Sequence, residues 1–534
     1  MKVLIGYPPT NDEVKGTALL SQNRQFQYFE NPTFLFPVVL GTAATMVRDI
    51  GHNVLWEDAI AQDLSVEEYE TIISSEKPDI FFFETKAPVI KKHWDIVKQF
   101  KNKFPLLKIV MCGDHVSYKP LETMEKCPVD FVINGGYFDF AFMELLNAIE
   151  FDTPIPYGVW YRNKGKVIDN GRYIFKSTLD NCPVIDRVLT KNDNYQKEFN
   201  LKGRPLAYIM SGRDCWWGKC TFCVWDHALY PRGTFKGRSP QHVLEEVKYL
   251  VDNQGVREIF DDCGTITVGS WLEKFCKLMI ESGYNKKVMY SCNMRFGAVN
   301  SAQYKLMKEA GFRLLKFGLE SGCQKTIDKL DKGTKIEKVI PSCKEAKEAG
   351  LTVHITMMVG YPWETKEDAM ETFTLVNTLM SNGYADIHQS TVIVPYPGTP
   401  LYEEGKLKRW FRFDPEQYER FDMTEPVFKT PDMTPEEVVG MCYQNYKAYL
   451  NPLYIVQHAF KRIRSWEDVV YSFKGLNAVL GHFSDFSRTI PQAEFDGYIT
   501  EEQLKNIEIT NPRQDLVYET GYLKDLKKLT PLAN

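Results

Sequence analysis

Short apolar runs alternate with longer amphipathic segments over the first 150 residues. We predict strands at residues 3–5, 53–56, 79–83, 108–112 and 129–133. Between the first two strands, Pro37 suits the first turn of a helix and Gly51 suits its carboxyl end. Strands that alternate with helices form a parallel sheet with helices on both faces. Residues 1–150 are therefore predicted to be a doubly wound α/β domain.

Each predicted strand of this sheet opens into a loop of small or polar residues. The loops contain Pro8, Thr85, Gly113, Asp114, His115, Gly135 and Gly136. Ligands of such sheets bind over the carboxyl ends of the strands, so these residues are candidates for a binding site. The first strand is not followed by G-x-G-x-x-G, and the chain has no P-loop, which disfavours a dinucleotide or ATP. A sheet used only for docking is the alternative.

The alternation of strands and helices returns in residues 205–405. Six strands are predicted at 207–210, 258–260, 288–291, 314–318, 354–359 and 388–394, and helix starts at Ser239, Ser270 and Thr365. Six such repeats predict a partial (β/α)6 barrel of the TIM type, with its chemistry at the carboxyl ends of the strands. Residues 151–204 are predicted to be a connector, with a hairpin over 157–175 that turns at Asn170-Gly171.

Three cysteines, Cys215, Cys220 and Cys223, follow the first predicted barrel strand. Three thiolates can hold three irons of a 4Fe-4S cluster, and no fourth Cys or His follows at ligand spacing, which leaves one iron open for chemistry. Structural zinc would need a fourth ligand, and the nearest candidates, His227 and Cys263, lie outside the usual spacing. A redox dithiol would explain only the last two thiols.

Polar residues also follow the later barrel strands, at Asp261, Asp262, Arg295, Glu320 and Gly360. A carboxylate at an apolar strand end, such as that of Glu320, costs free energy unless it meets a cation or a hydroxyl group. Glu320 is therefore a candidate for binding an amine or a ribose. For the Asp261-Asp262 pair, a helix cap in the loop is the alternative.

Composition is that of an ordinary globular protein. The 534 residues are 44% hydrophobic and 25% charged, which is enough for about three domains with cores. The net charge of −5 and the pI near 6.1 provide no basic field for nucleic acid. No apolar stretch has the length of a transmembrane segment, and Pro8 and Pro9 interrupt the amino terminus too early for a signal peptide. We predict a cytoplasmic protein in a reducing, oxygen-poor environment.

Residues 406–534 are predicted to form a mainly helical carboxy-terminal cap. Helices are predicted to begin near Thr434 and Ser465. The basic stretch 460–466 fits a solvated helix face better than a membrane or an acidic partner. Residues 500–534 form a polar tail without recognisable chemistry.

Several motifs together resemble the cobalamin-binding radical S-adenosylmethionine (SAM) enzymes, over about residues 1–405. They are the cysteine cluster with Phe222 before its last thiol, residues 317–322 (FGLESG), 332–334 (KGT), 358–365 (MVGYPWET) and 395–400 (PYPGTP), and the loops 112–117 (CGDHVS) and 129–135 (VDFVING). The resemblance implies a Rossmann-like cobalamin domain at 1–150 and a radical SAM barrel at 205–405.

The resemblance also implies roles for individual residues. Cys215, Cys220 and Cys223 would hold the 4Fe-4S cluster, whose open iron binds SAM and generates a 5′-deoxyadenosyl radical. SAM-contacting candidates are Phe222, Asp261, Asp262, Arg295, Glu320 and Gly360, and cobalamin-contacting candidates are Pro8, Thr85, Gly113, Asp114, His115, Gly135 and Gly136. The favoured function is a C-methyltransferase acting on an unactivated carbon of a natural product, peptide or lipid. Flavodoxin or ferredoxin is the expected electron donor.

Two departures from the family's pattern modify these expectations. The spacing C-x-x-x-x-C-x-x-C is one residue longer than the usual C-x-x-x-C-x-x-C, and we expect residues 216–219 to bulge outward without loss of a ligand. The cobalamin domain also lacks D-x-H-x-x-G, which implies cobalamin with no histidine on its lower face. Two alternatives remain: a non-methylating cyclase, rearrangement or carbon–carbon bond-forming enzyme with cobalamin as electron relay, and a non-catalytic regulatory protein.

Overall fold

The computed structural model describes residues 1–11, 16–20, 26–29, 33–198, 200–456, 466 and 468–475. The strands are β1 (Lys2–Ile5), β2 (Thr17–Leu20), β3 (Phe26–Phe29), β4 (Asn53–Trp56), β5 (Ile80–Thr85), β6 (Lys108–Gly113), β7 (Phe131–Ile133), β8 (Val159–Asn163), β9 (Lys166–Ile168), β10 (Leu206–Ile209), β11 (Gly212–Arg213), β12 (Lys236–Gly237), β13 (Glu258–Asp261), β14 (Met289–Met294), β15 (Phe312–Glu320), β16 (Thr352–Val359) and β17 (Ile387–Val392).

The helices follow the same alternation. They are α1 (Val38–Asp49), α2 (Ala59–Gln62), α3 (Val66–Glu76), α4 (Ile90–Lys103), α5 (Asp114–Tyr118), α6 (Pro120–Lys126), α7 (Phe138–Glu150), α8 (Pro240–Gln254), α9 (Ser270–Glu281), α10 (Ser301–Glu309), α11 (Gln324–Lys329), α12 (Val339–Glu348), α13 (Lys366–Ser381), α14 (Pro400–Leu407) and α15 (Pro435–Tyr446). One turn of π-helix covers Trp225–Leu229.

The first large sheet has the strand order β4-β1-β5-β6-β7-β8-β9. Its first five strands are parallel, and β8 and β9 add antiparallel to the edge. Helices α1 and α7 pack on one face, whereas α3 and α4 belong to the core of the other. The predicted doubly wound sheet is confirmed.

The predicted turn of the edge hairpin was wrong. The strands β8 and β9 join through Lys164 and Gly165, whose φ angles of 48° and 80° are those of a two-residue type I′ turn. The Asn170-Gly171 pair lies after β9, outside the hairpin. There the Asn170 side-chain amide donates to the carbonyl oxygens of Ile155 and Pro156 at 3.1 and 2.8 Å. The sequence pattern did not reveal that the Asn170 side chain would hydrogen-bond to the backbone in this way.

The second large sheet contains six strands in the order β10-β13-β14-β15-β16-β17, and all neighbours are parallel. Helices α8 and α13 begin where predicted, with Ser239 and Thr365 as side-chain N-caps, and α9 begins at Ser270. The partial barrel is therefore confirmed. All its strand carboxyl ends lie at one edge, which gathers the loops that follow them.

One hydrophobic core is shared by the two sheets. It contains Val3 and Phe82 of the first sheet together with Tyr208 and Phe260 of the barrel. Because buried apolar surface is continuous between them, the two sheets are held in a fixed relation at the loops that carry the candidate residues.

The described carboxy-terminal part is helical where a helix was predicted. Thr434 and Glu437 form a capping box at the start of α15, which lies on β17 through hydrogen bonds to Ser390. The prediction of a helix start at Ser465, the basic stretch 460–465 and the tail 500–534 lie outside the described residues. No helix among the described residues has the length and apolar character needed to cross a bilayer.

Candidate active site at the barrel mouth

The loop after β10 brings the three predicted cluster ligands to one cavity. Cys215, Cys220 and Cys223 all line a cavity of about 180 Å³ at the barrel mouth. Cys215 contacts the Thr265 hydroxyl at 3.6 Å, and the Cys223 backbone N–H donates to the Cys220 carbonyl at 3.2 Å. Among the described residues that line this cavity there is no fourth cysteine. This set suits a cluster with one open iron and leaves zinc short of a fourth thiolate.

Two tryptophans hold the extended part of the cysteine loop. The Trp216 indole N–H donates to the Ile266 carbonyl at 3.0 Å, and that of Trp217 donates to the Asp331 carbonyl at 2.8 Å. Arg295 lies over the Trp217 ring at 4.3 Å. The expected outward bulge of residues 216–219 was therefore wrong, because both indoles find hydrogen-bond partners on later barrel loops and only Lys219 of the four residues is exposed.

Positive charge lies beside the thiols. Burial raises the pKa of the Cys220 thiol to about 11, and the nearby Lys332 and Arg295 oppose this rise. Lys332 and Arg295 both line the cavity. Cations at this position favour anionic groups, including thiolates and carboxylates.

Glu320 meets the cation that its buried position requires. Its carboxylate accepts a hydrogen bond from Lys332 Nζ at 2.7 Å, and its backbone has a φ of 64° at an irregularity of β15. Gly318 leaves the necessary room, since a Cβ there would lie 2.5 Å from Glu320 Oε1. A non-glycine residue in this backbone region is uncommon and strained, which points to a constrained position at the mouth.

The two aspartates after β13 have different surroundings. Asp261 is fully buried, and its carboxylate accepts from the Ser211 backbone N–H at 2.9 Å and from the Tyr290 hydroxyl at 2.9 Å. Asp262 lines the cavity with the cysteines. Asp261 thus joins β13 to β14 and to the loop after β10, and Asp262 is the member of the pair that lines the cavity.

Of the other predicted SAM-contacting residues, some line the cavity and one is packed against a helix. Phe222 and Arg295 line the cavity. Gly360 has a φ of 90° and lies against α15, where a Cβ would approach Val438 to 2.8 Å. Its N–H donates to Glu364 Oε2 at 2.7 Å, and burial raises the pKa of Glu364 to about 8.

The loops of the first sheet are closed by pairs of their own side chains. Thr85 Oγ1 is 2.7 Å from His93 Nδ1, Asp114 is 3.5 Å from Lys86 Nζ, and His115 Nε2 is 3.2 Å from Glu122. Pro8, Thr85, Asp114 and His115 are all buried. Thr85, Asp114 and one ring nitrogen of His115 thus have partners at the strand ends, whereas His115 Nδ1 is buried without a partner among the described residues.

The glycines of these loops permit close backbone approach. A Cβ on Gly113 would lie 2.0 Å from the Thr85 carbonyl oxygen, and one on Gly136 would lie 2.5 Å from the Tyr230 ring. The Gly136 N–H donates to the Leu229 carbonyl at 2.8 Å, which ties this loop to the barrel domain. Gly135 has a φ of 129°, and its N–H donates to the Ser117 hydroxyl at 2.9 Å. Close packing thus requires glycine at positions 113 and 136, whereas the backbone conformation requires it at 135.

A second, larger cavity of about 1380 Å³ lies between the two sheets. Asn134, Gly136 and Tyr137 line it from the end of β7, and Thr221 and Asp226 line it from the cysteine loop. Asn134 Oδ1 and the Tyr137 hydroxyl are buried without a hydrogen-bond partner among the described residues. Buried polar atoms of this kind normally have partners, so this edge of the sheet fits a large polar ligand such as cobalamin.

Several residues of the site were not singled out from the sequence. Lys332 belongs to the KGT motif. Nothing in the sequence indicates that its side chain pairs with that of Glu320, which lies 12 residues earlier. Asp226 lines both cavities. Burial, followed by this neighbouring carboxyl, raises the pKa of Asp214 to about 10. Both aspartates flank the cysteines in sequence, and this proximity is the one sequence feature that could have indicated their place in the site.

The barrel also matches a known family. Residues 209–376 match the model of the radical SAM superfamily, and this stretch contains all three cysteines and the strand ends described above. The chain carries a radical SAM domain. The predicted recognition as a radical SAM enzyme is confirmed.

Sequence relatives extend over most of the radical SAM chain. An uncharacterized methyltransferase from Pyrococcus horikoshii is 26% identical over 466 residues, covering 86% of this chain and 95% of the relative. An anaerobic magnesium-protoporphyrin IX monomethyl ester cyclase from Cereibacter sphaeroides is 25% identical, covering 73% of this chain and 63% of the cyclase. The radical SAM enzyme is therefore related to a methyltransferase and, over a shorter part, to a cyclase.

Two solved structures share the fold of the radical SAM chain. The radical SAM methyltransferase TsrM from Kitasatospora setae, with cobalamin and a 4Fe-4S cluster bound, has a TM-score of 0.63 at 14% identity and covers 90% of this chain and 98% of its own. The cobalamin-dependent radical enzyme OxsB, with aqua-cobalamin bound, has a TM-score of 0.62 at 13% identity and covers 99% and 80%. The chain has the fold of cobalamin-binding radical SAM enzymes.

Proposed function

We propose that the protein is a cobalamin-dependent radical SAM methyltransferase that methylates an unactivated carbon. The observation that supports this most is the adjacency of two cavities at the barrel mouth. One is lined by Cys215, Cys220 and Cys223, the other by the first sheet, and Asp226 lines both. A radical source and a methyl carrier must both reach one substrate carbon, so their sites must adjoin.

The residues of the smaller cavity fit a cluster and SAM. Cys215, Cys220 and Cys223 would hold the 4Fe-4S cluster, and together with bound SAM and cobalamin it supplies a 5′-deoxyadenosyl radical and a transferable methyl group. Arg295 and Lys332 place positive charge beside Cys220, where the carboxylate of SAM would be neutralised. Lys332 orients the Glu320 carboxylate at 2.7 Å, which leaves its other oxygen available for an amine or ribose hydroxyl.

The first sheet fits the role of cobalamin domain at the end of β7. Asn134 and Tyr137 supply to the larger cavity polar atoms that have no partner in the described part of the chain, and Lys219, Tyr230 and Glu403 line its barrel side. Residues 406–534 would close the barrel and select the substrate, which we propose to be a natural product, peptide or lipid. A flavodoxin or ferredoxin would deliver the electron.

A non-methylating cyclase or rearrangement enzyme is the second candidate, favoured by the 25% identical cyclase relative. One experiment separates the two. The reconstituted protein is incubated anaerobically with cobalamin, trideuteromethyl-labelled SAM and a reductant. Methylation predicts that the label appears on cobalamin, measured by mass spectrometry, together with 5′-deoxyadenosine. Formation of 5′-deoxyadenosine without label on cobalamin would support the second candidate and contradict the first.

A further inference from the structure

The segment between the first two cluster cysteines is tied to a later barrel loop through one ring. Trp217 is half-buried, and its indole N–H donates to the Asp331 carbonyl at 2.8 Å. A Cβ on Gly333 would lie 2.1 Å from the Trp217 ring, so the ring rests directly on the backbone there. Residues 331–333 follow α11 and include the start of the KGT motif. The cysteine loop and this loop therefore meet at Trp217.

Arg295 completes the contact between these two loops. It directly follows β14 and is only 6% exposed. Its guanidinium carbon lies 4.3 Å from the centre of the Trp217 ring and 5.7 Å from that of the Trp216 ring, and its Nη2 donates to the Lys332 carbonyl. Two indoles and one backbone carbonyl thus contact the buried charge of Arg295.

An aromatic face is a suitable support for this guanidinium. A buried cation costs free energy unless it meets compensating groups, and the electron-rich face of an indole stabilises a cation within about 6 Å of its centre. The ring offers no lone pair, so it leaves the N–H donors of the guanidinium for other partners. A carboxylate in the place of the ring would pair with those donors and neutralise the charge.

Trp217 can reach a ligand of the smaller cavity only through its neighbours. Arg295 and Lys332 line this cavity together with the cysteines, whereas Trp217 lies outside its lining in the described part of the chain. Lys332 contributes its carbonyl to Arg295 and its Nζ to the Glu320 carboxylate at 2.7 Å. The ring therefore supports both cations at the cavity, one by direct contact and one through the loop backbone.

We propose that Trp217 is a positioning residue for SAM, which fixes Arg295 and the backbone of Lys332 and thereby the two cations that would meet the SAM carboxylate. The inference rests on the proposed function, which assigns that carboxylate to these cations. It adds a role for the longer cysteine spacing: the loop that carries Cys220 also sets the affinity for SAM. Replacement of the ring should therefore weaken SAM binding while the cluster stays intact.

Substitution of the ring tests this role without knowledge of the substrate. Trp217→Leu removes both the ring face and the indole donor, whereas Trp217→Phe keeps a ring face. After anaerobic reconstitution, the iron content is measured, and equilibrium dialysis with the oxidised cluster gives the Kd for SAM without cleavage. We expect Trp217→Leu to raise this Kd about tenfold and Trp217→Phe to raise it by about threefold or less, at unchanged iron content.

Trp271→Leu is the matched control. Trp271 is also half-buried, and its indole N–H donates to the Arg238 carbonyl at 2.7 Å, but it is not among the described residues that line either cavity. This variant should bind SAM as the wild type does. An equal loss of SAM affinity in Trp271→Leu and Trp217→Leu would indicate a general packing effect and overturn the proposal. Loss of iron from Trp217→Leu alone would assign the ring to cluster assembly and overturn it as well.

A double-mutant cycle shows whether Trp217 acts through Arg295. The cycle is needed because the Trp217 ring also lies 4.9 Å from Nζ of the exposed Lys219. Arg295→Leu should raise the Kd for SAM about tenfold, and addition of Trp217→Leu to this variant should raise it by less than about twofold more. Effects of the two substitutions that multiply in the double variant would refute the positioning role.

The outcomes separate this inference from the proposed function. If Arg295→Leu binds SAM as tightly as the wild type, the SAM-binding role proposed for Arg295 is wrong, and the positioning role fails with it. If Arg295→Leu weakens SAM binding and Trp217→Leu does not, only the positioning role is refuted. Absence of label on cobalamin would refute methylation and leave the positioning role standing.

Discussion

Polar residues lie at the carboxyl ends of the strands in both large sheets, but they find different partners there. In the first sheet, the Tyr7 hydroxyl donates to Glu84 at 2.8 Å and Lys86 lies 3.5 Å from Asp114, all nearly fully buried. In the barrel, Asp262 and Arg295 face a cavity. The difference shows that polar residues at strand ends do not by themselves mark a binding site. In the first sheet, buried polar atoms without a partner among the described residues include Asn134 Oδ1 and the Tyr137 hydroxyl after β7 and Nδ1 of His115 after β6.

Loss of a cluster ligand tests the barrel edge and should have the largest effect. Cys220→Ala should abolish both the cluster absorbance and the formation of 5′-deoxyadenosine from SAM, because two thiolates no longer secure the cluster. The measurement is anaerobic reconstitution followed by visible spectroscopy and product analysis. Cys276→Ala, a buried thiol on α9, is the control. Retained cleavage in Cys220→Ala would show that the ligands are misassigned.

Removal of the buried cation from the first sheet should act on stability. Lys86 is 1% exposed and lies between Glu84 and Asp114, at 4.0 and 3.5 Å. Lys86→Met leaves buried carboxylates uncompensated, which should lower the free energy of unfolding by about 3 kcal/mol. Chemical denaturation measures this, with the exposed Lys98→Met as control. A change no larger than that of the control would mean that the pairs at this edge contribute nothing.

Glu364 after β16 gives the barrel edge a pH dependence. Its Oε1 is buried without a partner among the described residues, and burial raises its pKa from 4.5 to about 8. Because the folded state holds this proton more tightly, stability should fall as the pH rises from about 4.5 to about 8. Glu364→Gln should remove that fall, which is on the order of 5 kcal/mol for a shift of this size, and so stabilise the protein above pH 8.

Thermal unfolding at a series of pH values measures this effect. The exposed Glu371→Gln on α13, the helix that follows Glu364, should leave the pH profile unchanged. Identical profiles for Glu364→Gln and the wild type would show that Glu364 does not titrate in this range.

Lys332 is the barrel counterpart of Lys86 and should act mainly on ligand affinity. Its pair with Glu320 borders the cavity. Lys332→Met should weaken SAM binding about tenfold, the size of one charge-assisted contact. Equilibrium dialysis measures the Kd for SAM, and the exposed Lys335→Met is the control. If Lys332→Met lost more stability than Lys86→Met and kept its SAM affinity, the proposed difference between a structural lysine in the first sheet and a ligand-binding lysine in the barrel would be wrong.

Periodicity was sufficient to predict both sheets, because strand and helix periods differ and each strand here is a short apolar run. The three cysteines were identifiable because their spacing fixes them in one loop. Pairings between distant residues were not predictable. Glu320 and Lys332 meet only through the irregularity of β15, and Arg213 meets Asp139, 74 residues earlier in the chain. The hairpin turn was missed because Asn170 has hydrogen-bond partners outside the hairpin.

The pair of Arg213 and Asp139 has a consequence for taking the protein apart. Arg213 directly precedes the cysteine loop, and both its terminal nitrogens donate to the Asp139 carboxylate on α7, at 2.7 and 2.5 Å. A barrel expressed alone would lack this counter-ion and the surface that covers it, just where the thiols must converge. The two halves are thus not interchangeable modules: a chimera that replaces the amino-terminal half must supply an acid at the same place or lose the shape of the iron-binding loop.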